Sequence, residues 1–293
     1  MTNTIKKICA VSAAALMMLA GCSKEEEAAP DTASTIVASK AAGNSGDVTL
    51  ASGDTYAVIS IRDYGDITVK LYPEETPVAF RNFTELAKRG DYNGRNFHRI
   101  IEEFMAQGGS ADSSGSGGAS IDGGTFKPEI NTSLRHYYGA LCMASAGGNQ
   151  SDQFYIVNNK VSQTELTATY EQYVSAISQQ EQLQAMYLNM FDPNDADSKM
   201  YIDYYTTQKQ FYHDYAIGAQ AMLDTLTDEV NATYASKGGV PFLDGGYTVF
   251  GQTVDGFDVL DAITAVEKVD DGNGNISKPA EDIIIDKIEI FTK

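Results

Sequence analysis

Residues 56–61 (Tyr-Ala-Val-Ile-Ser-Ile) and 66–71 (Asp-Ile-Thr-Val-Lys-Leu) are short and β-rich, and Asp63-Tyr64-Gly65 lies between them. The pattern predicts two strands joined as a hairpin. The period then changes. Thr76 precedes Pro77, and Val78, Phe83, Leu86 and Ala87 recur at helical spacing before Lys88, Arg89 and Gly90. This predicts a helix with Thr76 as N-cap and a stop at Gly90, its basic last turn suiting the helix dipole. Further short strands are expected at 97–100, 104–107, 141–144, 153–157 and 249–254, a second helix at 257–265, and a closing strand at 283–291. Many short strands, Gly-rich turns and two helices point to a barrel or a sandwich.

Residues 160–239 break that rhythm. The stretch has one proline, Pro193, and a single glycine before Gly238-Gly239. Leu166, Tyr170, Tyr173, Val174 and Ile177 recur at three and four, as do Met200, Tyr204, Phe211 and Tyr215 less regularly. Two or three helices are expected, broken at Asp192-Pro193-Asn194-Asp195. The stretch carries nine of the 17 tyrosines, and four lysines against eleven acidic residues. An aromatic stripe packing on itself and on the barrel explains it most simply; a client-binding surface near the site is the functional alternative.

Composition narrows the function. The chain has 293 residues, a formal charge of −19, three Cys, three His and no Trp. That acidity disfavours a nucleic-acid partner, because phosphate backbones are repelled. It reads as a solubilising surface. Cys142 in Leu141-Cys142-Met143-Ala144 is expected to be a small buried hydrophobe. His136 and His213 have no paired ligands in the sequence and are expected to face solvent. Asp271, Asn273, Asn275 and Asp282 match a calcium loop only partly, since Ile276 stands where glycine is needed; an ordinary polar loop is expected. The glycosylation-type triplets at Asn82, Asn131 and Asn231 are expected to carry no function.

The first 21 residues read as a secretory signal: Lys6 and Lys7, then an apolar run from Ile8 to Ala20. Leu19-Ala20-Gly21-Cys22 resembles the bacterial lipobox, which implies lipidation of Cys22 and an extracytoplasmic protein held at the cell membrane, on its outer face or in a periplasm. Two acyl chains anchor stably where one does not. Residues 22–52 are poor in hydrophobic periodicity and are expected to form a flexible tether.

The chemistry concentrates in Phe97-His98-Arg99-Ile100-Ile101-Glu102-Glu103-Phe104-Met105-Ala106-Gln107-Gly108-Gly109. Here the chain resembles the cyclophilin-type peptidyl-prolyl cis-trans isomerases. Similar stretches follow in order: Gly115-Ser116-Gly117-Gly118, Leu141 to Ala146, Gln153-Phe154-Tyr155-Ile156, Phe242-Leu243-Asp244-Gly245, Val249-Phe250-Gly251 and Pro279-Ala280-Glu281-Asp282. The resemblance covers 53–159 and 240–293, with 160–239 as a helical insertion. It implies a mainly β fold, a closed eight-stranded antiparallel barrel capped by two helices, with an inserted α-helical subdomain.

It also implies a site. Arg99, Phe104 and Gln107 are the catalytic candidates, with Arg99 stabilising the twisted prolyl amide and Gln107 orienting it. Met105, Phe104, Tyr155 and Leu243 would wall an apolar proline pocket. Ala144, Ser145 and Gln153 would line the groove for the peptide backbone, Gly115 is a further substrate-binding candidate, and Phe242 and Tyr247 would form the rim near the proline pocket. Ser145, Tyr155, Phe242 and Tyr247 depart from the Asn, Phe, Trp and His of the best-known eukaryotic pattern, so weak cyclosporin binding is expected. His98, on the opposite strand face by alternation, reads as a core histidine. No metal, nucleotide or covalent intermediate is required. The partners would be proline-containing polypeptides, exported or unfolded. A chaperone or scaffold of the same fold with little turnover is the alternative; a surface adhesin or solute-binding lipoprotein predicts no such motif and is disfavoured.

Overall fold

The computed structural model describes residues 34–39, 43–44, 50–116 and 118–293. The expected signal sequence and the lipidation site Cys22 lie outside them. The elements are β1 (Thr35–Val37), β2 (Thr55–Ile61), β3 (Gly65–Leu71), α1 (Pro77–Arg89), β4 (Phe97–Ile101), β5 (Phe104–Gly108), β6 (Glu129–Asn131), β7 (Ala140–Ala146), β8 (Asn149–Asn158), α2 (Leu166–Leu188), α3 (Lys199–Asp224), α4 (Asp228–Lys237), β9 (Val249–Asp255), α5 (Phe257–Thr264), β10 (Lys268–Asp270), β11 (Ile276–Pro279) and β12 (Ile285–Thr292). No helix among the described residues is long and apolar enough to cross a membrane.

Eight strands form one antiparallel sheet in the order β12-β2-β3-β9-β7-β8-β5-β4. Its edges meet. Asn96 bridges Ile284, the Phe97 amide donates to Ile283 O at 2.9 Å, and the Ile285 amide to Arg95 O at 2.8 Å. Joining the edges leaves no open ladder to pair elsewhere. The interior holds Ile59, Ile67, Val69, Phe97, Ile100, Leu141, Met143, Phe154, Ile156 and Phe250. Phe83 and Leu86 of α1 and Leu260 and Ile263 of α5 join the same core, so two helices cap the barrel.

The start of α1 differs from expectation. Thr76 makes no side-chain cap bond. Instead the buried Glu129 of β6 accepts from the amides of Val78 (3.1 Å) and Ala79 (2.8 Å). A distant carboxylate takes the place of the local cap, and the positive helix end favours it. The stop at Gly90 is as the pattern predicts, with a left-handed φ of 77°.

Part of the expected tether is docked. β1 pairs in parallel with β6, and the buried Asn44 bonds Arg135 and Gln252 through its amide. These partners lie about 90 to 200 residues away, so local composition carries no sign of them.

Strand alternation gives β5, β7, β8 and β9 a second buried face. Met105, Cys142, Ala144, Tyr155, Val157 and Val249 pack outside the barrel against Ile177 of α2 and Phe211, Tyr212, Tyr215 and Ala219 of α3. Close approach depends on glycine. A Cβ on Gly218 of α3 would lie 2.0 Å from Gly245 O, and one on Gly246 would lie 2.5 Å from the Tyr215 ring.

Gly218→Ala is therefore expected to destabilise. Alanine gains about 1 kcal/mol in an ordinary helix interior, but the clash with a backbone carbonyl works against it and overpacking costs about 1–3 kcal/mol. Urea unfolding should show a lower midpoint; an unchanged or higher one would contradict the packing.

Candidate active site

Register brings the polar candidates together. Arg99 of β4 lies opposite Gln107 of β5, and Gln107 lies opposite Tyr155 of β8, beside Gln153. Arg99 Nη1 donates to Gln107 Oε1 at 3.1 Å. Gln107 Nε2 donates to Gln153 Oε1 at 3.1 Å, and Gln153 Nε2 to Gly115 O at 3.1 Å. A carbonyl can only accept, so Gly115 fixes the direction of the whole chain and the orientation of both amides. Among the described residues Arg99 Nη2 is buried without a protein partner, and so is Ser145 Oγ. Burial draws the Arg99 pKa down, and Asp271 and Tyr247 oppose this; starting from above 12, the guanidinium stays charged.

His98 is half-buried rather than in the core. A bulge falls between Phe97 and Arg99, and bulges break simple alternation. A Cβ on Gly115 would lie 2.8 Å from His98 Nε2, so the ring lies over the loop of the site. Burial, then the Arg99 charge, lowers its pKa to about 4. It is neutral at physiological pH. Asp112, whose pKa drops to about 2 chiefly through its Ser110 bond, ties the neighbouring loop through Ser114.

The apolar candidates form a second group. Phe104 and Phe242 face each other with ring centroids 5.5 Å apart. Met105, Tyr155 and Leu243 are fully buried. Phe242 is half-buried at the rim, with Tyr173 of α2 edge-on to it at 6.1 Å. Tyr247 is not at an exposed rim: it is 3 % accessible, beneath Phe211 (6.3 Å) and Tyr215 (5.9 Å). The helices over it are the reason. Tyr215 also donates from its hydroxyl to Phe242 O. Ala144 and Ser145 are nearly buried on β7.

A buried polar knot fixes these helices to the site. Asp244 Oδ1 accepts from the His136 amide at 2.9 Å and pairs with His136 Nδ1 at 2.6 Å. Asp244 Oδ2 accepts from the hydroxyls of Tyr170 of α2 and of Tyr234 of α4, the latter at 2.7 Å. His136 Nε2 lies 3.0 Å from the Tyr155 hydroxyl. Arg135, also fully buried, donates to Tyr170 (2.9 Å), Met222 O (3.0 Å) and Thr225 (3.1 Å). Burial alone would raise the Asp244 pKa; the His136 bond and charge interaction, with Arg135 and Tyr170, outweigh it and hold the carboxyl below the usual range. His136 is thus in the interior, against the expectation of exposure. Sequence reading gave Arg135, His136 and Asp244 no part in a buried network because each finds its partner across the fold. Asp244 stood inside the Phe-Leu-Asp-Gly stretch and was the one visible signal.

Cys142 is a buried free thiol, as expected, and burial pushes its pKa up. The 270–277 turn ties itself: Asp271 accepts from the amides of Asn273 and Asn275 and from Ser277. Among the described residues no group of three His, Cys, Asp or Glu side chains could hold a metal ion.

Known proteins fit this architecture. A Cryptosporidium parvum cyclophilin type peptidyl-prolyl cis-trans isomerase superposes with a TM-score of 0.51 at 22 % identity, over 82 % of this chain and 99 % of that one. Another structure of that protein, in the presence of the dipeptide Ala-Pro, matches at 0.51 and 23 % identity, over 81 % and 99 %. These matches define the fold as that of a cyclophilin. The family model for "cyclophilin type peptidyl-prolyl cis-trans isomerase/CLD" matches residues 56–186 and 192–290. Chains named for peptidyl-prolyl cis-trans isomerase activity are similar in Staphylococcus aureus, 32 % identical over 80 % of this chain and 90 % of that one, and in Staphylococcus saprophyticus, 34 % over 82 % and 93 %. A Streptococcus pyogenes chain named as a bifunctional phosphatase and isomerase is 35 % identical over 78 % of this chain, which spans 37 % of its length. The chain belongs to the cyclophilin-type peptidyl-prolyl cis-trans isomerase family.

Asp244→Asn keeps the volume but leaves Arg135 buried without its countercharge. Breaking a buried pair costs about 3–5 kcal/mol, so unfolding at pH 7 should show a loss of that order. The native carboxyl pKa is depressed. Its contribution is therefore complete above the unfolded value of about 3.9 and fades as pH falls through the lower native value. The gap between wild type and variant should narrow below about pH 4. A gap constant into stronger acid would contradict the assignment.

Proposed function

We propose that the chain isomerises X–Pro bonds in exported polypeptides, with Arg99 as the group that lowers the barrier. The observation that carries this is the fixed chain from Arg99 through Gln107 and Gln153 to Gly115 O, which leaves Arg99 Nη2 without a protein partner among the described residues. Amide resonance sets a barrier of about 18–20 kcal/mol. At the twisted geometry that resonance is lost and the prolyl nitrogen becomes pyramidal and basic. A held cation donating to that nitrogen favours the twisted state over either planar one. Gln107 occupies Nη1, so rotation of the guanidinium is restrained and little reorganisation is needed at the transition state. Phe104, with Met105 and Leu243 behind it, offers the apolar surface a proline ring requires. Gly115, Ala144, Ser145 and Gln153 serve the substrate backbone. The step draws on no cofactor.

The lipobox-like Leu19-Ala20-Gly21-Cys22 supports an outer, membrane-tethered setting. Uncatalysed prolyl isomerisation takes tens of seconds or more, slow enough to limit folding there. Metabolic labelling with a radioactive fatty acid checks this, since Cys22→Ser should abolish incorporation.

The second reading, a scaffold that holds proline-containing segments with little turnover, is favoured by the depth at which Tyr247, Tyr155 and Leu243 lie beneath the helices. A protease-coupled assay on a short X-Pro peptide decides between them. Wild type should accelerate isomerisation, and Arg99→Ala should lose about 10²–10³-fold in kcat/KM, the usual effect of removing one preorganised donor. No acceleration by wild type, or equal rates, would leave the scaffold.

The rate should also be flat in pH from about 5 to 9, because Arg99 stays charged and His98 takes up its proton only near pH 4. A bell-shaped profile centred near neutrality would instead implicate a titrating acid or base.

A further inference from the structure

The α2–α3 hairpin is buried at its root and apolar at its tip. Met186, Met190, Met200, Tyr201 and Tyr204 gather around the connection between the helices and are 47–71 % exposed. They are set on a stacked aromatic base: Phe191 lies on Tyr201 at 5.1 Å and on Tyr205 at 5.8 Å, and Tyr205 meets Tyr187 at 5.1 Å. Large exposed apolar side chains concentrated in one place mark an interaction surface. Methionine adapts to varied partners.

Charge selects the occupant. Lys199 is the one cation from Met186 to Tyr205, and it pairs with Asp203 at 2.5 Å. Asp192, Asp195 and Asp197 are exposed, so the tip presents four carboxylates to one ammonium. A second copy would bring the same carboxylates to the contact, and an anionic lipid surface would be repelled as well. A segment that alternates basic and apolar residues satisfies both parts of the surface.

Geometry links the tip to the proline site. Tyr173, against Phe242, and Met186 lie on one continuous helix, about 20 Å apart along its axis at 1.5 Å per residue. An extended chain covers that distance in about six residues. We propose that the tip is a docking site for basic, apolar stretches of extended polypeptide, and that it holds a client whose proline lies six or more residues away. A second point of attachment raises the effective concentration of the proline at the site. That gain in turnover rests on the isomerase reading; the docking itself does not.

The test uses the full chain and two peptides. The first is proline-free, about 16 residues of alternating Lys and Leu with one Trp; the chain has no Trp, so the peptide alone reports. The variant is Met186→Ser, Met190→Ser, Met200→Ser and Tyr204→Ser together, all exposed and outside the site. The peptide should bind wild type, bind the variant about tenfold more weakly, and weaken in salt above about 0.5 M as screening removes the charge contribution. A Glu–Leu peptide should not bind. The second peptide joins the Lys–Leu stretch to an X-Pro sequence through six residues. Its kcat/KM should exceed that of the bare X-Pro peptide about tenfold in wild type and match it in the variant, with turnover of the bare peptide unchanged.

Equal binding of the Lys–Leu peptide to wild type and variant overturns the proposal, as does equal binding of the Glu–Leu peptide. Sedimentation showing a dimer that the substitutions dissolve gives the tip to a second copy and overturns it too. Selective docking of the Lys–Leu peptide without X-Pro turnover by wild type leaves the docking standing and removes the isomerase reading instead.

Discussion

One carboxylate holds the two parts of this protein in register. Asp244 meets His136 from the barrel side and the hydroxyls of Tyr170 and Tyr234 from the helices, with Arg135 close by and no exposure at either charge. A charge taken so far from water is tolerated only when its hydrogen-bonding capacity is filled. Four donors fill it here, the His136 amide and ring and the hydroxyls of Tyr170 and Tyr234, and they come from three parts of the chain. The helices can therefore sit in one way only. Through His136 the same group reaches the hydroxyl of Tyr155, so one wall of the proposed proline site is tied to the arrangement that docks the helices.

That arrangement changes what the barrel strands must satisfy. β5, β7 and β8 are buried on both faces, one lined by the barrel core and the other by α2 and α3. Phe154 and Ile156 point one way, Tyr155 and Val157 the other. Strands of this kind read as continuous apolar runs rather than alternating ones, which is how Leu141 to Ala146 appears in the sequence. The site lies where the sandwiched face gives way to the loops carrying Gly115 and Phe242. Rigid walls and a fixed guanidinium meet there, and the relay from Arg99 to Gly115 needs both strand register and loop position.

Much of this was legible beforehand. The hairpin at 56–71, the helix from Pro77 to Gly90 and the closing strand follow from short-range periods and turn residues, which depend on neighbours only. The motif around Arg99 and Gln107 was legible through its resemblance to the cyclophilin pattern, and it lies on two strands that pair across a short turn, so its residues come together locally. The cap of α1 was not, because Glu129 lies some 50 residues from the amides it serves. Nor was the docking of Thr35–Val37 and Asn44, or the burial of His136, whose surroundings in sequence are polar and aromatic alike.

The sequence by itself determined the main strands and helices, since strand period and turn chemistry are local properties, and through its ordered resemblance to the cyclophilins it implied the antiparallel barrel and the residues that present a charged donor beside an apolar surface. Tertiary structure decided which histidine is buried, where Tyr247 lies, and which face the helices cover. Those outcomes turn on desolvation and on partners far apart in the chain, and a buried charge has no counterpart in any local pattern.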